Sequence, residues 1–355
     1  MSKPRKMQCA IIGCGTIGKT HAEAYAASSH AELVCVADIV KSKAERLAAA
    51  HGVPKAIANY RLILNNPAIE AVSVCLPNYL HAPVSIACLK AGKHVLCEKP
   101  IALNMTQAKA MQAAAHLYRR MLAIGVVNRF SSNVNAIREL IRQGDLGTVY
   151  HVHAVFKAHR SIPGLGGWFT TRAKSGGGVM IDWGVHFIDL ILYCLNFPKP
   201  VAVSGAAYAK LGGELRNYAY LNMWAGPPNF EGICDVEEYV SGLIRTRGPN
   251  IAFEGAWAQN IGDGAMYIEF LGEKGGVRLQ YGGDFTVYSH RDGVLYKTQP
   301  SLRPASMFNK EIDSFLECAA TGRKSPAHID SVIGTQRILD AFYLSAKKNR
   351  EVAVR

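Results

Sequence analysis

The chain has 355 residues, of which 49% are hydrophobic and 19% are charged, and its formal net charge is +13. This length allows two domains with separate cores, and the composition is typical of a soluble globular protein, not of a disordered or fibrous one. We find no window that approaches the length of a membrane span and no signal-peptide pattern, so we expect a cytoplasmic protein. The basic residues are scattered and form no nucleic-acid-binding motif, which favours an anionic cofactor or substrate over nucleic acid.

The nine cysteines do not indicate a metal site or a disulfide framework. None of them forms a C-x-x-C pair, and Cys9, Cys35, Cys75 and Cys97 lie inside apolar, strand-like runs. We therefore predict free buried thiols and no bound metal.

The first predicted elements are a short apolar strand, a glycine-spaced turn and a helix rich in small residues. The strand covers residues 8–12, and the turn has the spacing G-x-G-x-x-G between Gly13 and Gly18. In such a turn Gly13 permits the tight bend, Gly15 lets the backbone approach a pyrophosphate, and Gly18 lets the helix pack against the strand. The helix N-terminus then offers N–H groups to the phosphates, so the pattern predicts a dinucleotide site.

A second apolar run ends in an acidic residue at the expected distance from the turn. Asp38 follows the predicted strand 33–37 and lies 20 residues after Gly18. A carboxylate there can accept both ribose hydroxyls of an adenosine and repels a 2′-phosphate, which favours NAD over NADP. Lys41 and Lys43 could nevertheless meet a phosphate, and the alternative for Asp38 is a helix cap or a solvated loop residue.

The remainder of the first third alternates strands and helices. Each predicted strand ends in polar residues, where open α/β sheets bind ligands. We therefore predict one doubly wound parallel sheet, a dinucleotide-binding Rossmann domain over residues 1–126. The strands are 71–76, followed by Pro77-Asn78-Tyr79-Leu80-His81; 94–97, followed by Glu98-Lys99-Pro100; and 121–127, followed by Asn128-Arg129-Phe130.

From residue 148 onward, strand-like runs dominate and are joined by short glycine-bearing turns. This pattern predicts a second domain, residues 127–355, with a mostly antiparallel sheet and two closing helices near 307–321 and 330–348. The segment 211–234 is rich in glycine, asparagine and proline, yet it carries Tyr218, Tyr220, Met223, Trp224 and Phe230. It is a substrate lid, a subunit contact or an ordered surface loop.

Two stretches carry residues suited to acid–base and electrostatic chemistry. In the run 175–189, three glycines lead into a helix on which Asp182, His186 and Asp189 have spacings of four and three, which places them on one face. A carboxylate beside an imidazole forms an acid–base pair, although this run taken alone favours a capping Asp182 and a half-buried His186. Lys99 follows a strand of the dinucleotide sheet and could polarise a substrate oxygen, or form a surface charge pair with Glu98.

These motifs together resemble the Gfo/Idh/MocA oxidoreductase family, which includes glucose–fructose oxidoreductase and inositol dehydrogenases. The resemblance rests on the glycine turn, Asp38, the PNYLHAP run, Glu98-Lys99-Pro100 and the run GGG-x-x-x-D-x-G-x-H-x-x-D, and it extends from Met7 to beyond Gly276. It implies a Rossmann domain followed by a domain with a large, open-faced, mostly antiparallel sheet. It also implies assembly into a homodimer or homotetramer through those sheets.

The resemblance further implies roles for individual residues. Lys99 would bind the substrate hydroxyl, His186 would be the general base, and Asp182 would be its carboxylate partner and a substrate ligand. The Lys99–Pro100 bond is often cis in this family. The chain departs from many relatives in having Phe169, not arginine, directly after Trp168. The expected substrate contacts are Lys99, Arg129, Asp182 and His186. Further candidates for shaping the substrate pocket are His153, Lys157, Trp168 and the segment 211–234. The expected cofactor contacts are Gly13, Gly15, Thr16, Ile17, Asp38, Leu76, Pro77, Asn78, His81, Glu98, Lys99, Asn128 and Trp168.

The implied activity is reversible transfer of a hydride between NAD and a secondary alcohol of a sugar, a glycoside or a cyclitol. A second possibility is an enzyme that keeps NAD tightly bound and recycles it, either during glycoside 3-oxidation and cleavage or while passing hydride between two sugars. A third is a sugar-sensing regulator without catalysis, for which the full set of Lys99, Asp182 and His186 is not needed.

Overall fold

The computed structural model describes residues 5–221, 223, 225–303 and 305–355. It divides the chain into two compact units. The first contains residues up to 130 together with 305–333, and the second contains 131–304 together with 334–355.

The sheet of the first unit is parallel and has the strand order β3-β2-β1-β4-β5-β6. This is the order of a doubly wound dinucleotide-binding fold, in which ligands bind at the carboxyl ends of the strands where the order reverses, between β1 and β4. The predicted Rossmann fold is therefore confirmed. Its elements are β1 (Met7–Ile12), α1 (Thr16–Ala27), β2 (Ala31–Ala37), α2 (Lys41–His51), β3 (Lys55–Ile57), α3 (Arg61–Leu64), β4 (Ala71–Val74), α4 (Asn78–Lys90), β5 (His94–Glu98), α5 (Met105–Leu117) and β6 (Leu122–Gly125).

The second unit is built on a nine-stranded sheet with the order β14-β13-β12-β11-β7-β10-β9-β8-β15. All neighbouring strands are antiparallel except β10 and β7, which confirms the predicted mostly antiparallel sheet. The remaining elements are α6 (Ser132–Gln143), β7 (Val149–Lys157), α7 (Arg172–Ser175), α8 (Val185–Cys194), β8 (Pro200–Tyr208), β9 (Tyr239–Thr246), β10 (Asn250–Ala256), β11 (Ala265–Gly272), β12 (Gly275–Gln280), β13 (Phe285–Arg291), β14 (Val294–Thr298), α9 (Met307–Thr321), α10 (Ile329–Lys348) and β15 (Val352–Ala353).

The first unit differs from the sequence-based domain boundary because it includes α9. The apolar face of this helix, with Ile312, Phe315 and Leu316, shares one buried cluster with Ala22 and Tyr25 of α1. A helix with such a stripe must bury it against another element, and here that element belongs to the dinucleotide fold. The sequence pattern placed α9 correctly along the chain but not in its packing unit.

Three short strands, β3, β14 and β15, were not expected from the sequence, because none of them lies in an apolar run as long as those around β4 and β6.

The expectation that no apolar stretch approaches the length of a membrane span is wrong. The helical stretch Arg172–Cys194 is long and apolar enough to span a membrane, with a mean hydropathy of 1.3. Its most apolar window is 89% buried inside the protein, as in the core helix of a globular unit.

Glu311 on α9 is a buried carboxyl group in the first unit. Its side chain is 1% exposed, and neither oxygen has a hydrogen-bond partner among the described residues. Burial, reinforced by the nearby charge of Glu98, raises the pKa of Glu311 well above its usual value of 4.5. The folded protein therefore keeps this proton at pH values where the unfolded chain has lost it. As the pH rises from the unfolded pKa towards the folded one, this group lowers the free energy of unfolding.

Replacing Glu311 by glutamine should remove this pH dependence, because an amide stays neutral throughout. We expect Glu311→Gln to melt at about the wild-type temperature near pH 4.5 and several degrees above it at pH 8, since about 1 kcal/mol shifts Tm by roughly 2–4 °C for a domain of about 150–250 residues. Glu317→Gln, an exposed position on the same helix, is the control. Equal melting curves for Glu311→Gln and wild type at pH 8 would contradict the buried neutral acid.

Candidate functional site

The glycine turn after β1 is tightly constrained at two of its three glycines. Gly13 has a φ of +102°, and a Cβ there would lie 2.1 Å from the carbonyl oxygen of Cys75. A Cβ at Gly18 would lie 2.0 Å from the carbonyl oxygen of Gly13. A side chain at Gly13 would push the turn away from the end of β4, and a side chain at Gly18 would push α1 away from the turn.

Gly15, by contrast, has open space where a side chain would project. Apart from its chain neighbours, none of the described residues has an atom within 4 Å of a Cβ placed there, and Gly15 directly precedes the N-terminus of α1. Thr16 is exposed and Ile17 half-buried in the first turn, where no side chain caps the helix. Open backbone at a helix N-terminus fits a pyrophosphate, so these residues are suited to hold NAD.

Asp38 lies directly after β2 and is fixed by backbone donors on both sides. Its Oδ2 accepts from the N–H of Cys14 at 2.9 Å, and its Oδ1 accepts from the N–H of Val40 at 2.8 Å. The carboxylate therefore ties the end of β2 to the glycine turn. Each oxygen keeps a further lone pair, with which it can accept from a ribose hydroxyl.

Among the residues after β4, His81 does not have the surroundings expected of a cofactor contact. Leu76 and Pro77 are half-buried, and Asn78 begins α4. His81, expected to contact the cofactor, is fully buried, and its ring nitrogens lie 2.7 Å from the carbonyl oxygen of Pro100 and 2.8 Å from that of Leu76. Burial lowers the pKa of His81. A neutral ring has one N–H, so one carbonyl accepts at a time. His81 thus joins the turns after β4 and β5 and does not itself face a ligand.

Lys99 is half-buried directly after β5, at the ligand-binding edge of the sheet. The Lys99–Pro100 bond is cis, as the resemblance predicted. The backbone N–H of Lys99 donates to Oε2 of Glu98 at 3.1 Å, and His21 Nε2 lies 2.9 Å from the other oxygen, Oε1. The second ring nitrogen of His21 lies 3.0 Å from Ser73 Oγ.

This Ser73–His21–Glu98 arrangement has the order of a hydrolytic triad, but its geometry excludes that chemistry. Ser73 and His21 are 0% exposed, so no substrate can reach the hydroxyl. The network instead holds Glu98. Burial opposes ionisation of this carboxyl, but the hydrogen bond and charge of His21 and the nearby Lys99 outweigh burial and lower the pKa of Glu98. Gly125 makes room for it, since a Cβ there would lie 2.9 Å from the carboxyl group.

Among the residues after β6, Arg129 does not have the surroundings expected of a substrate contact. Asn128 is buried in a short 3₁₀-helix, Val127–Phe130. Arg129, expected to contact the substrate, is 1% exposed, and its guanidinium donates to the carbonyl oxygen of Pro326 at 2.7 Å and to Ser331 Oγ at 2.8 Å. This side chain fastens the segment after α9 to the first unit, so we remove it from the substrate contacts.

In the second unit, Asp182 lies in a π-helical turn, Met180–Gly184, that leads directly into α8. Such turns are rare and frequently occur at functional sites. The sequence pattern assumed regular α-helical spacing and did not predict the wider turn. His186 is half-buried in the first turn of α8, whereas Asp189 is buried and accepts from Thr335 Oγ1 at 3.0 Å as part of the core.

Two residues near Asp182 were missed by the sequence analysis. The indole N–H of Trp257 donates to Asp182 Oδ2 at 3.3 Å, and the carboxylate of Glu237 accepts from the N–H of Gly178 at 2.9 Å. Consecutive glutamates at the start of an apolar strand were the available signal for Glu237, because buried carboxylates require partners. No signal distinguished Trp257 from an ordinary core tryptophan.

Trp168 belongs to a loop that is paired with the end of the segment 211–234. Its ring stacks on that of Phe169 with centroids 3.8 Å apart. The flanking backbone pairs with the segment: Gly164 N donates to Ala225 O at 2.6 Å, and Asn229 N donates to Leu165 O at 2.8 Å. Trp224 lies outside the described residues. The end of the segment is therefore hydrogen-bonded to the loop that carries Trp168.

His153 and Lys157, considered as pocket residues, lie on β7 in alternation with the core residues Val152, Ala154 and Phe156. Because successive strand residues point to opposite faces, both side chains project from the face opposite the core. Lys157 Nζ there donates to Glu254 at 2.6 Å. Neither side chain therefore lies on the face of the sheet that packs against α8.

Comparison with known proteins identifies relatives over the whole chain. A family model described as "Oxidoreductase family, NAD-binding Rossmann fold" matches residues 7–126, and one described as "GFO/IDH/MocA C-terminal domain" matches residues 134–278. The chain is 32% identical to "D-glucoside 3-dehydrogenase" of Escherichia coli (strain K12), over 98% of this chain and 97% of that protein.

Solved structures give the same fold. The aldose-aldose oxidoreductase from Caulobacter crescentus is 25% identical, with a TM-score of 0.83 over 98% of this chain and 100% of that one. A levoglucosan dehydrogenase in complex with NADH is 22% identical, with a TM-score of 0.87 over 99% and 100% of the two chains. At that identity the second likeness shows the shared fold alone.

Asp38 provides a test of the dinucleotide site. Asp38→Asn removes the charge and leaves only one side-chain oxygen for two backbone donors. Hydrogen bonds to charged groups contribute about 1.5–3 kcal/mol, so we expect NADH to bind roughly 10–100-fold more weakly, with a smaller preference over NADPH. Nucleotide fluorescence titration measures both affinities, and Glu32→Gln, exposed on the same strand, is the control. An unchanged NADH-to-NADPH ratio would contradict a ribose contact at Asp38.

The His21–Glu98 pair provides a test of the network beneath Lys99. His21→Leu keeps the volume but leaves Glu98 buried without its partner, which should lower the free energy of unfolding by about 3–5 kcal/mol. Urea unfolding measures this loss. Adding Glu98→Gln should recover part of it, because the remaining group is then neutral. Tyr25→Phe, which removes only the outermost hydrogen bond of the network, to Ser73 Oγ at 2.8 Å, is the control at about 1 kcal/mol. Equal losses for His21→Leu and Tyr25→Phe would argue against a buried, ionised Glu98 that depends on His21.

Proposed function

Because the chain belongs to the Gfo/Idh/MocA family of NAD-binding oxidoreductases, we propose that it oxidises a secondary alcohol of a sugar, a glycoside or a cyclitol, reversibly. The observation that carries this proposal is the full-length similarity to a protein named D-glucoside 3-dehydrogenase, at 32% identity. Among the three substrate classes, that name favours a glycoside with a free hydroxyl at carbon 3.

The first unit would supply most of the NAD contacts. Gly13, Gly15 and the first turn of α1 would hold the pyrophosphate, and Asp38 the adenosine ribose, which favours NAD over NADP. When bound, NAD supplies a hydride acceptor. The further proposed cofactor contacts are Leu76, Pro77, Asn78, Glu98, Lys99, Asn128 and Trp168.

Lys99 would bind the reacting hydroxyl of the substrate. Its ammonium group can stabilise the negative charge that develops on this oxygen as the proton leaves. Its backbone is held by Glu98, which is itself held by His21, so the lysine starts from an ordered position. Preorganised charge of this kind needs little reorganisation during the reaction.

His186 would accept the hydroxyl proton, because imidazole exchanges protons near neutral pH. Asp182 would orient His186 and bind a neighbouring hydroxyl of the ring. Asp182 is buried and accepts from Trp257, so its carboxylate is restrained before a substrate binds. These roles follow the family resemblance, and the placement of Asp182 in a π-helical turn supports them.

A second candidate activity is internal recycling of tightly bound NAD, in which hydride passes between two sugars or is returned after glycoside cleavage. The similarity to an aldose-aldose oxidoreductase at 25% identity favours it. Oxidation at carbon 3 acidifies the C–H bond of carbon 2, and loss of that proton permits the glycosidic substituent to leave carbon 1 as an alcohol. Addition of water and return of the hydride to carbon 3 would complete the cycle, so the same residues would serve either reaction.

We further propose that the chain acts in the cytoplasm as a homodimer or homotetramer formed through its nine-stranded sheet. The sheet face opposite the core supports this, because it carries half-buried polar and aromatic side chains, among them Tyr239 and Glu254, joined by a 2.8 Å hydrogen bond. Such a face is suited to a polar interface between copies.

The activity is tested by following NADH formation with NAD and a panel of glucosides, free sugars, inositols and uronates. We expect one compound class to react, and we expect Lys99→Ala to lower kcat at least a hundredfold, about 3 kcal/mol. Lys99→Met should retain NADH binding while losing turnover. The exposed Lys109→Ala is the matched control.

Two outcomes would redirect the assignment. Near-normal turnover in Lys99→Ala would contradict the role of this lysine. If no compound of the panel yields NADH and the purified protein still carries nicotinamide, internal recycling is favoured. Supplying a second sugar as hydride acceptor would then restore turnover.

A further inference from the structure

Two consecutive glutamates directly before β9 are among the most buried charged residues of the second unit. Glu237 and Glu238 are each 2% exposed. The carboxylate of Glu237 accepts from N–H groups near residue 180, whereas that of Glu238 accepts from N–H groups of residues 210–212, so the two serve different parts of the unit. Burying a carboxylate is costly unless donors compensate it, so the partners of each indicate its purpose.

The carboxylate of Glu237 lies at the start of the helix that carries Asp182. Its Oε1 accepts from the N–H of Gly178 at 2.9 Å, the N–H of Met180 at 3.4 Å and the hydroxyl of Tyr343 at 2.7 Å. Its Oε2 accepts from Arg172 at 3.3 Å. Glu237 thereby satisfies N–H groups that the first helical turn leaves without intrahelical partners.

The glycines before Asp182 are required by this contact. A Cβ at Gly178 would lie 1.9 Å from the carbonyl oxygen of Glu237, and a Cβ at Gly177 would lie 1.9 Å from the hydroxyl of Tyr343. The backbone N–H of Asp182 in turn donates to the carbonyl oxygen of Gly178 at 3.0 Å. The position of Glu237 is therefore transmitted to Asp182 through one turn of backbone.

A second connection reaches Asp182 through its side chain. The backbone N–H of Trp257 donates to the carbonyl oxygen of Glu238 at 2.8 Å, and its indole N–H donates to Asp182 Oδ2 at 3.3 Å. Trp257 is 1% exposed, so its ring has little freedom to reorient. The carboxylate of Glu238 is held by the N–H groups of Lys210 at 2.5 Å and Leu211 at 3.0 Å.

We propose that Glu237, Glu238 and Trp257 are positioning residues that fix the carboxylate of Asp182 from two sides, one through the helix backbone and one through the indole. The proposal rests on the proposed function only in taking Asp182 as an active-site group. None of the three contacts the substrate in this scheme. Because misplacing a catalytic group by about 1 Å can cost a hundredfold in rate, such residues affect kcat without taking part in the chemistry.

Trp257→Phe tests the indole connection, because it removes the N–H donor and retains an aromatic ring. We expect kcat to fall at least tenfold and KM to rise, because Asp182 also binds a ring hydroxyl in the proposed function, while the NADH dissociation constant stays within twofold of wild type. In an Asp182→Asn background the same substitution should change the remaining kcat less than twofold, since two residues that act through one group are not additive. Equal losses in both backgrounds would overturn this connection.

Glu237→Ala tests the backbone connection without any substrate. We expect hydrogen–deuterium exchange of the peptide spanning 178–190 to accelerate at least tenfold, while peptides from the first unit are unchanged. Glu273→Ala is the matched control, because that exposed carboxylate also accepts a backbone N–H, from Thr148 at 3.2 Å. If Glu237→Ala fails to fold, Glu237→Gln, which keeps one acceptor oxygen, replaces it and should show a smaller acceleration.

The two proposals fail in different ways. Wild-type protein that is inactive on every sugar would overturn the proposed function, and the exchange measurement would then decide the positioning role alone. Unchanged exchange over 178–190 in both Glu237 variants would overturn the positioning role even if the enzyme proves active.

Discussion

Each segment of the candidate site is fixed by a hydrogen bond from a backbone N–H to a restrained carboxylate. Asp38 holds the glycine turn, Glu98 holds the backbone of Lys99, and Glu237 holds the start of the helix with Asp182. Loops and helix termini leave N–H groups without partners, and an ionised carboxylate is a strong acceptor for them. Removing one of these acids would therefore loosen a main-chain segment as well as remove a charge.

The environments of these acids differ, and the difference matters for their roles. Asp38 is only half-buried and can still meet a ligand, whereas Glu98 and Glu237 are almost fully enclosed. The histidine beside Glu98 keeps that carboxyl ionised, while burial raises the pKa of Glu237, although Tyr343 and Arg172 act in the opposite direction. The acids that support the site are thus withdrawn from solvent, and the acid that faces the ribose in our proposal is not.

The corrections concern residues whose type suggested ligand binding but whose surroundings use their polar atoms otherwise. Arg129 and His81 follow strands at the ligand-binding edge, as substrate and cofactor contacts do, yet their polar atoms contact main-chain carbonyl oxygens. Long polar side chains satisfy nearby main-chain groups whenever the packing brings them together. Sequence position at a strand end is therefore a weaker indicator of ligand contact than the exposure of the side chain.

The sequence by itself determined the two sheet types, the glycine turn with Asp38 and the helix pattern around Asp182 and His186. These features depend on local periodicity and on backbone geometry that only glycine permits. The tertiary structure alone decided that α9 packs with the dinucleotide fold, that the turn at Asp182 is π-helical and that Trp257 and Glu237 support it. Such contacts join residues dozens of positions apart, and no local pattern encodes which buried donor meets which acid.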